Sequence, residues 1–138
     1  MATTTATITV TSNDILSDVL SLTTSSALTK VGTSTGVEYA TGLSRKKVNA
    51  TAKGSSATTI YTADDFAAIP YLYLKNTNTT PGNKIFIYDD TTSGDPVILK
   101  MAGGDWAFMP IKGDKTLKAY APSGNNPYIE YMVFGTDQ

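Results

Sequence analysis

Neither cysteine nor histidine occurs among the 138 residues. Without cysteine there is no disulfide scaffold and no thiolate nucleophile. Without histidine the side chain that most often moves protons near neutral pH is missing, and Cys/His zinc sites go with it. Charge is sparse as well: Asp, Glu, Lys and Arg make up 17% of the chain, against about 25% in an average globular domain. Eleven basic residues balance twelve acidic ones. No field of one sign is available to hold a phosphate backbone, so nucleic acid is not an expected partner. Apolar residues never run together over the roughly 18 positions that a membrane-spanning helix needs, so no membrane partner is expected. The opening MATTTATITV has neither a basic n-region nor a long apolar stretch. No signal peptide is expected from it, and synthesis is expected in a cytoplasm.

Threonine takes the place of charge, at 23 of the 138 residues, most of them before position 80. Its β-branched side chain suits a pleated sheet and fits a long helix poorly. The apolar pattern agrees, because its period along most of the chain is two. Ile8 and Val10 alternate with Thr7, Thr9 and Thr11. Residues 12–24 read either as a short helix capped by Ser12, Asn13 and Asp14 and carrying Ile15, Leu16, Val19 and Leu20, or as a loop followed by a strand that includes Leu20 and Leu22. The second is preferred. From 25 to 60 thin apolar islands at Leu28, Val31, Val37, Tyr39, Leu43 and Val48 predict short strands, or an extended arm lying on another surface.

The second half is easier to segment. Strands are predicted near Ile60–Thr62 and at 71–75, 84–88, 96–101, 106–111, 116–121 and 128–134, with turn residues between them. Residues 71–75 and 84–88 read as a hairpin around Pro81-Gly82-Asn83. Alternation places Leu72, Leu74, Ile85, Ile87, Ile98, Leu117, Ile129, Tyr131 and Val133 on inner faces. Two strands are apolar on both sides: Val97, Leu99 and Met101 oppose Ile98, and Met132 and Phe134 oppose Tyr131 and Val133. Such strands are expected to be buried twice, between sheets or beneath a neighbouring subunit. The fold class that follows is all-β, an antiparallel β-sandwich or jelly roll over residues 1–138. Residues 66–138 are its best-defined part and residues 1–11 a Thr-rich extended N-terminal arm.

Catalytic patterns are thin. Asp64-Asp65 and Asp89-Asp90 are adjacent pairs, whose members point to opposite faces of an extended chain and share neither proton nor metal. Asp89, Asp90 and Asp95 flank a Thr-Thr-Ser-Gly loop without matching a calcium motif, and read as turn residues. Ser44 lies near Lys46 and Lys47, a bare minimum for a Ser–Lys nucleophile with nothing else beside it. Gly103-Gly104 lacks the Gly-Lys-Ser/Thr of a nucleotide cradle. No enzyme, cofactor or metal is expected. Tyr71, Tyr73, Tyr88, Tyr120, Tyr128, Tyr131 and Trp106 either line a sugar- or receptor-binding face or fill the core, its rim and an interface. The second is preferred, with Trp106 plugging the core beside the Gly-Gly turn.

The order YLYLKNTN, KIFIYDD, DPVILKMAGGDWAFMPI, TLKAYAPSGNNPYIEYMVFG resembles a pattern in small virion structural proteins of tailed bacteriophages, especially marine and cyanobacterial phages. The resemblance covers about residues 66–138, and the N-terminal half matches in Thr-rich character alone. It implies a β-sandwich component of the virion, most directly a head decoration (cement) protein that binds the capsid surface. The partners so implied are the major capsid protein and further copies of the chain itself, as a dimer or trimer. Other virion β-modules (head fibre, tail or baseplate component) and a small adhesin for host glycan are the alternatives. The candidate interface takes Thr5, Ile8 and Val10 from the arm and Met132 and Phe134 from the two-sided last strand. Arg45, Lys46 and Lys47, the one basic cluster, complete it and suit either solvent or an acidic neighbouring subunit.

Overall fold

The computed structural model describes residues 3–14, 19–30, 33–34, 36–37, 39–50, 53–54, 56–91, 94–122 and 126–136. Among them are eleven strands and no helix. The chain forms two compact units, Met1–Glu38 and Tyr39–Gln138, where the sequence was read as one domain. Each unit is described by itself.

In the first unit, β1 (Thr4–Ser12) and β2 (Leu20–Leu28) pair antiparallel in an unbroken register from Thr4↔Leu28 to Ser12↔Leu20. Residues expected to extend as an arm thus form half of a hairpin, because β2 supplies backbone partners within the chain. Leu20 and Leu22 are strand residues, as preferred. Ile15, Leu16 and Val31 lie outside the described residues. A bridge between Thr29 and Gly36, with Val37 N–H donating to Leu28 O at 3.0 Å, closes the open end of the hairpin.

The second unit holds β3 (Tyr39–Ala40), β4 (Ser44–Lys47), β5 (Thr58–Tyr61), β6 (Tyr71–Asn76), β7 (Ile85–Asp89), β8 (Val97–Met101), β9 (Trp106–Pro110), β10 (Leu117–Tyr120) and β11 (Tyr128–Gly135). One sheet has the order β5-β10-β7-β8. The other runs β3-β11-β6-β9, with β4 also paired to β11. Every pairing between these strands is antiparallel. The inward residues of the two sheets form a single core cluster. Leu72, Leu74, Ile129 and Val133 come from the five-stranded sheet, and Ile85, Ile87, Leu117 and Ala119 from the four-stranded one. This is a β-sandwich, as the period-two pattern predicts.

Three local expectations need correction. First, β6 and β7 are not a hairpin. β6 pairs with β11 and β9, and β7 with β10 and β8, so the Asn/Thr/Pro/Gly segment crosses from one sheet to the other. The fully buried Asn76 anchors that crossing. Its Nδ2 donates to Asn83 O at 2.7 Å and reaches Met101 O at 3.5 Å, while Asn78 N–H donates to its Oδ1 at 3.2 Å. Two apolar strands with a turn between them satisfy a sandwich crossing as well as a hairpin, because each can bury its face against the other. Second, Ile98 is 47% exposed and outside the buried core, at the rim of a cavity it lines with Met109, Ile111 and Leu117. Leu99 pairs with Ile87 and Val97 with Tyr88, so Ile98 is the extra residue of a bulge, displaced from the alternation. Third, β8 does not lie between two sheets within the chain: it is a sheet edge on which Val97 and Ile98 are exposed, which leaves burial beneath a neighbouring subunit as the expectation for its two-sided apolar pattern.

Candidate docking surfaces

The alternation that buries Leu72, Leu74, Ile129, Tyr131 and Val133 sends the opposite parity to the outer face of the five-stranded sheet. Register sets its rows. Phe134 lies beside Tyr71 and Tyr71 beside Pro110; Met132 lies beside Tyr73 and Tyr73 beside Phe108. In the next row Arg45 lies beside Glu130, Glu130 beside Lys75, and Lys75 beside Trp106. Tyr128 and Lys47 complete the face. The rings stack: Tyr71 and Phe108 are parallel at 5.8 Å, and Phe108 meets Phe134 edge-on at 6.0 Å. The Arg45 guanidinium sits 5.1 Å over the Tyr128 ring, and its Nη2 donates to Thr77 Oγ1 at 3.3 Å. That contact holds a cation flat against an aromatic surface, an arrangement stabilised by the ring quadrupole.

Trp106 therefore does not plug the core. It stands on the outer face at 56% exposure, with Tyr128 at 45%. The reason is parity: β9 directs Ala107 and Met109 inward, opposite Leu74 and Leu72, which leaves Trp106 and Phe108 outside. The four-stranded sheet also carries outer aromatics, none of them among the exposed large apolar residues. Phe86 stacks on Tyr120 at 5.3 Å, and Tyr88 is fully buried, its hydroxyl accepting from Gly54 N–H at 3.2 Å.

The hairpin of the first unit has two unlike faces. One carries Ala6, Ile8, Val10, Leu20 and Leu22; the other is Thr and Ser throughout except for Ala27. Thr7 Oγ1 and Ser25 Oγ are hydrogen-bonded at 2.8 Å on the latter. Neither strand contains a charged residue or a proline. Ile8 is 37%, Val10 44% and Leu22 55% exposed.

No family model matches this chain, and no curated protein does. A solved chain from Bacillus endospore appendages, described as forming a novel family of disulfide-linked pili, is similar at a TM-score of 0.47 and 11% identity, covering 100% of this chain and 93% of that one.

The expected interface residues sort onto these surfaces. Ile8 and Val10 share the apolar hairpin face, while Thr5 belongs to the Thr/Ser face. Arg45, Lys47, Met132 and Phe134 share the outer sheet face. Lys46 points the other way, donating to Thr59 O at 3.1 Å and standing 5.4 Å over the Tyr131 ring. The sequence reading missed Lys75, Glu130 and Phe108 as surface partners. The signal was present for Lys75 and Glu130, whose parity is opposite to that of Leu72 and Leu74 and of Ile129 and Tyr131; for Phe108 there was none, because no β9 residue had a face assigned by alternation.

Ser44 and Lys46 line a cavity of about 240 Å³ with Thr41, Thr59, Tyr61 and Asp65. The Tyr61 hydroxyl accepts from Phe66 N–H at 3.3 Å and donates to Gly113 O at 3.1 Å. Burial pushes its pKa above 10.0, so the phenol is held neutral as a strut. Asp89 caps its own turn, accepting from Thr91 N–H at 2.8 Å, with the Lys115 ammonium 3.5 Å away. Among the described residues no group of three or more acidic side chains is placed to share a metal ion.

Proposed function

We propose that this chain is a structural module that works by surface contact: a decoration protein that binds the outside of a bacteriophage capsid, associates with its own copies and stabilises the shell. The observation that carries the reading is the β1–β2 hairpin, a long ribbon whose strands carry no charge and whose Ile8, Val10 and Leu22 are exposed. Two strands alone are at best marginally stable in water, and an edge without Lys, Pro or a bulge invites pairing with another strand. Such a ribbon suits a surface completed by a neighbour. The resemblance of residues 66–138 to virion structural proteins supports the major capsid protein as that neighbour.

The test is to mix purified protein with pre-formed expanded shells, measure co-sedimentation, and follow shell disruption on heating. Saturable binding and a raised disruption temperature are expected, with both weakened by deletion of residues 2–11. Binding to host surface polysaccharide in place of shells would discard the decoration reading and favour an adhesin, for which exposed Trp106 and Tyr128 offer stacking surfaces.

A further inference from the structure

The second unit is electrically polarised along its strands. The loops joining β5 to β6, β7 to β8 and β9 to β10 gather at one end of the sandwich, because the antiparallel registers bring Tyr61, Asp89 and Leu117 together. Gly113 tightens that end, accepting from Asp64 N–H and donating to Ala68 O, each at 2.8 Å. Six aspartates lie there: Asp64, Asp65, Asp89, Asp90, Asp95 and Asp114. Local lysines answer three of them, as Lys112–Asp114 at 2.7 Å, Lys115–Asp89 at 3.5 Å and Lys118–Asp90 at 2.6 Å. Asp64 and Asp65 are exposed and have no ion pair among the described residues.

The opposite end has the reverse balance. Arg45, Lys47, Lys75, Lys84 and Lys100 are all exposed there, with Asp105 and Glu130 as the acidic residues. None of the five cations has an ion pair among the described residues. Arg45, Lys47 and Lys75 border the stretch of the outer sheet face where Trp106 and Tyr128 are exposed. Trp, Tyr and Arg are the residue types that dominate binding at protein interfaces.

The geometry points to a head-to-tail contact between copies, in which the Asp64–Asp65 turn of one sits on the Arg45/Lys47/Lys75 and Trp106/Tyr128 surface of the next. It deepens the self-association part of the reading above. A two-fold contact through the same face would bring cations against cations, which is repulsive. A heterologous contact matches opposite signs and uses both ends of every copy. Its three-fold form closes into a ring; a rotation that does not close extends as a row.

The experiment is reciprocal charge exchange in the full chain, read by sedimentation velocity without any shell present. One variant carries Asp64→Asn and Asp65→Lys, with Asn chosen because residue 64 has a φ of 66°. The other carries Lys47→Glu and Lys75→Glu. Each alone is expected to self-associate about tenfold or more weakly than the parent, and an equimolar mixture to recover mixed complexes. Parent association is expected to weaken as ionic strength rises from about 0.01 to about 1 M, where the screening length falls from about 30 to about 3 Å. Circular dichroism melts show that each variant is folded; Asp65→Asn alone, which leaves a hydrogen-bond acceptor for Thr62 N–H, replaces the first variant if that one is not. Folded variants that associate like the parent, or a mixture without mixed complexes, would overturn the proposal. So would a cationic-face variant that loses binding to a polyanion such as heparin while self-association is unchanged. Reciprocal rescue in a chain that fails to bind shells would keep this contact and discard capsid decoration.

Discussion

Asn76 shows how one buried polar residue fixes the path of a sandwich. Its amide holds the carbonyl of Asn83 and the N–H of Asn78 at the sheet-to-sheet crossing. Asn76→Ala is expected to cost about 2–4 kcal/mol in denaturant unfolding, since buried partners lose their bonds and a void remains. A loss below about 0.5 kcal/mol would mean that the crossing is held elsewhere. Tyr61 gives a pH-dependent counterpart. Its folded-state pKa is raised by burial, so the stability it contributes is fully present below its ordinary value of 10.0 and is lost as pH rises through the higher folded value. Tyr61→Phe is expected to lower stability by about 1 kcal/mol at neutral pH, through the lost hydroxyl bonds. It is also expected to flatten the loss of stability above pH 10.0. An alkaline melting series in which parent and variant run parallel above that pH would contradict this account.

At the scale of the element, alternation was legible and pairing was not. Parity depends on neighbours two residues apart, so Leu72, Leu74, Ile85 and Ile87 could be placed on inner faces from the text alone. Which strands lie side by side depends on residues far apart in sequence. The Pro81-Gly82-Asn83 turn is the same local chemistry whether the chain folds back within a sheet or crosses between two. Ile98 is more exposed than alternation implies because a bulge falls at its position in β8, and Trp106 was misplaced because an edge strand follows a Gly-Gly turn whose length does not reveal which face comes next. The two faces of the five-stranded sheet provide a direct check. Leu74→Ala is expected to cost about 2–5 kcal/mol, since Leu74 has no exposed surface. Trp106→Ala is expected to cost less, about 1–2 kcal/mol, despite the larger side chain, because more than half of its surface is already in water. Equal losses from the two substitutions would place Trp106 back in the core and remove it from the docking surface.

For the whole molecule the decisive fact is that every member of the core cluster, from Val48 to Val133, belongs to the second unit. The first unit contributes a hairpin whose stripe of Ile8, Val10 and Leu22 remains partly exposed. A chain truncated to residues 39–138 is therefore expected to fold, giving a cooperative melt and dispersed amide resonances. A peptide of residues 1–38 is expected to lack stable strand structure in water, because two strands without a third layer do not overcome the entropy of ordering them. The same pair of molecules separates the two kinds of contact argued above. If the hairpin engages the shell, the truncated chain loses shell binding. The head-to-tail contact uses residues of the second unit alone, so the truncated chain is expected to keep its salt-sensitive self-association. An unfolded 39–138 fragment would mean that the sandwich depends on the first unit, and the division of labour between hairpin and sandwich would fall with it.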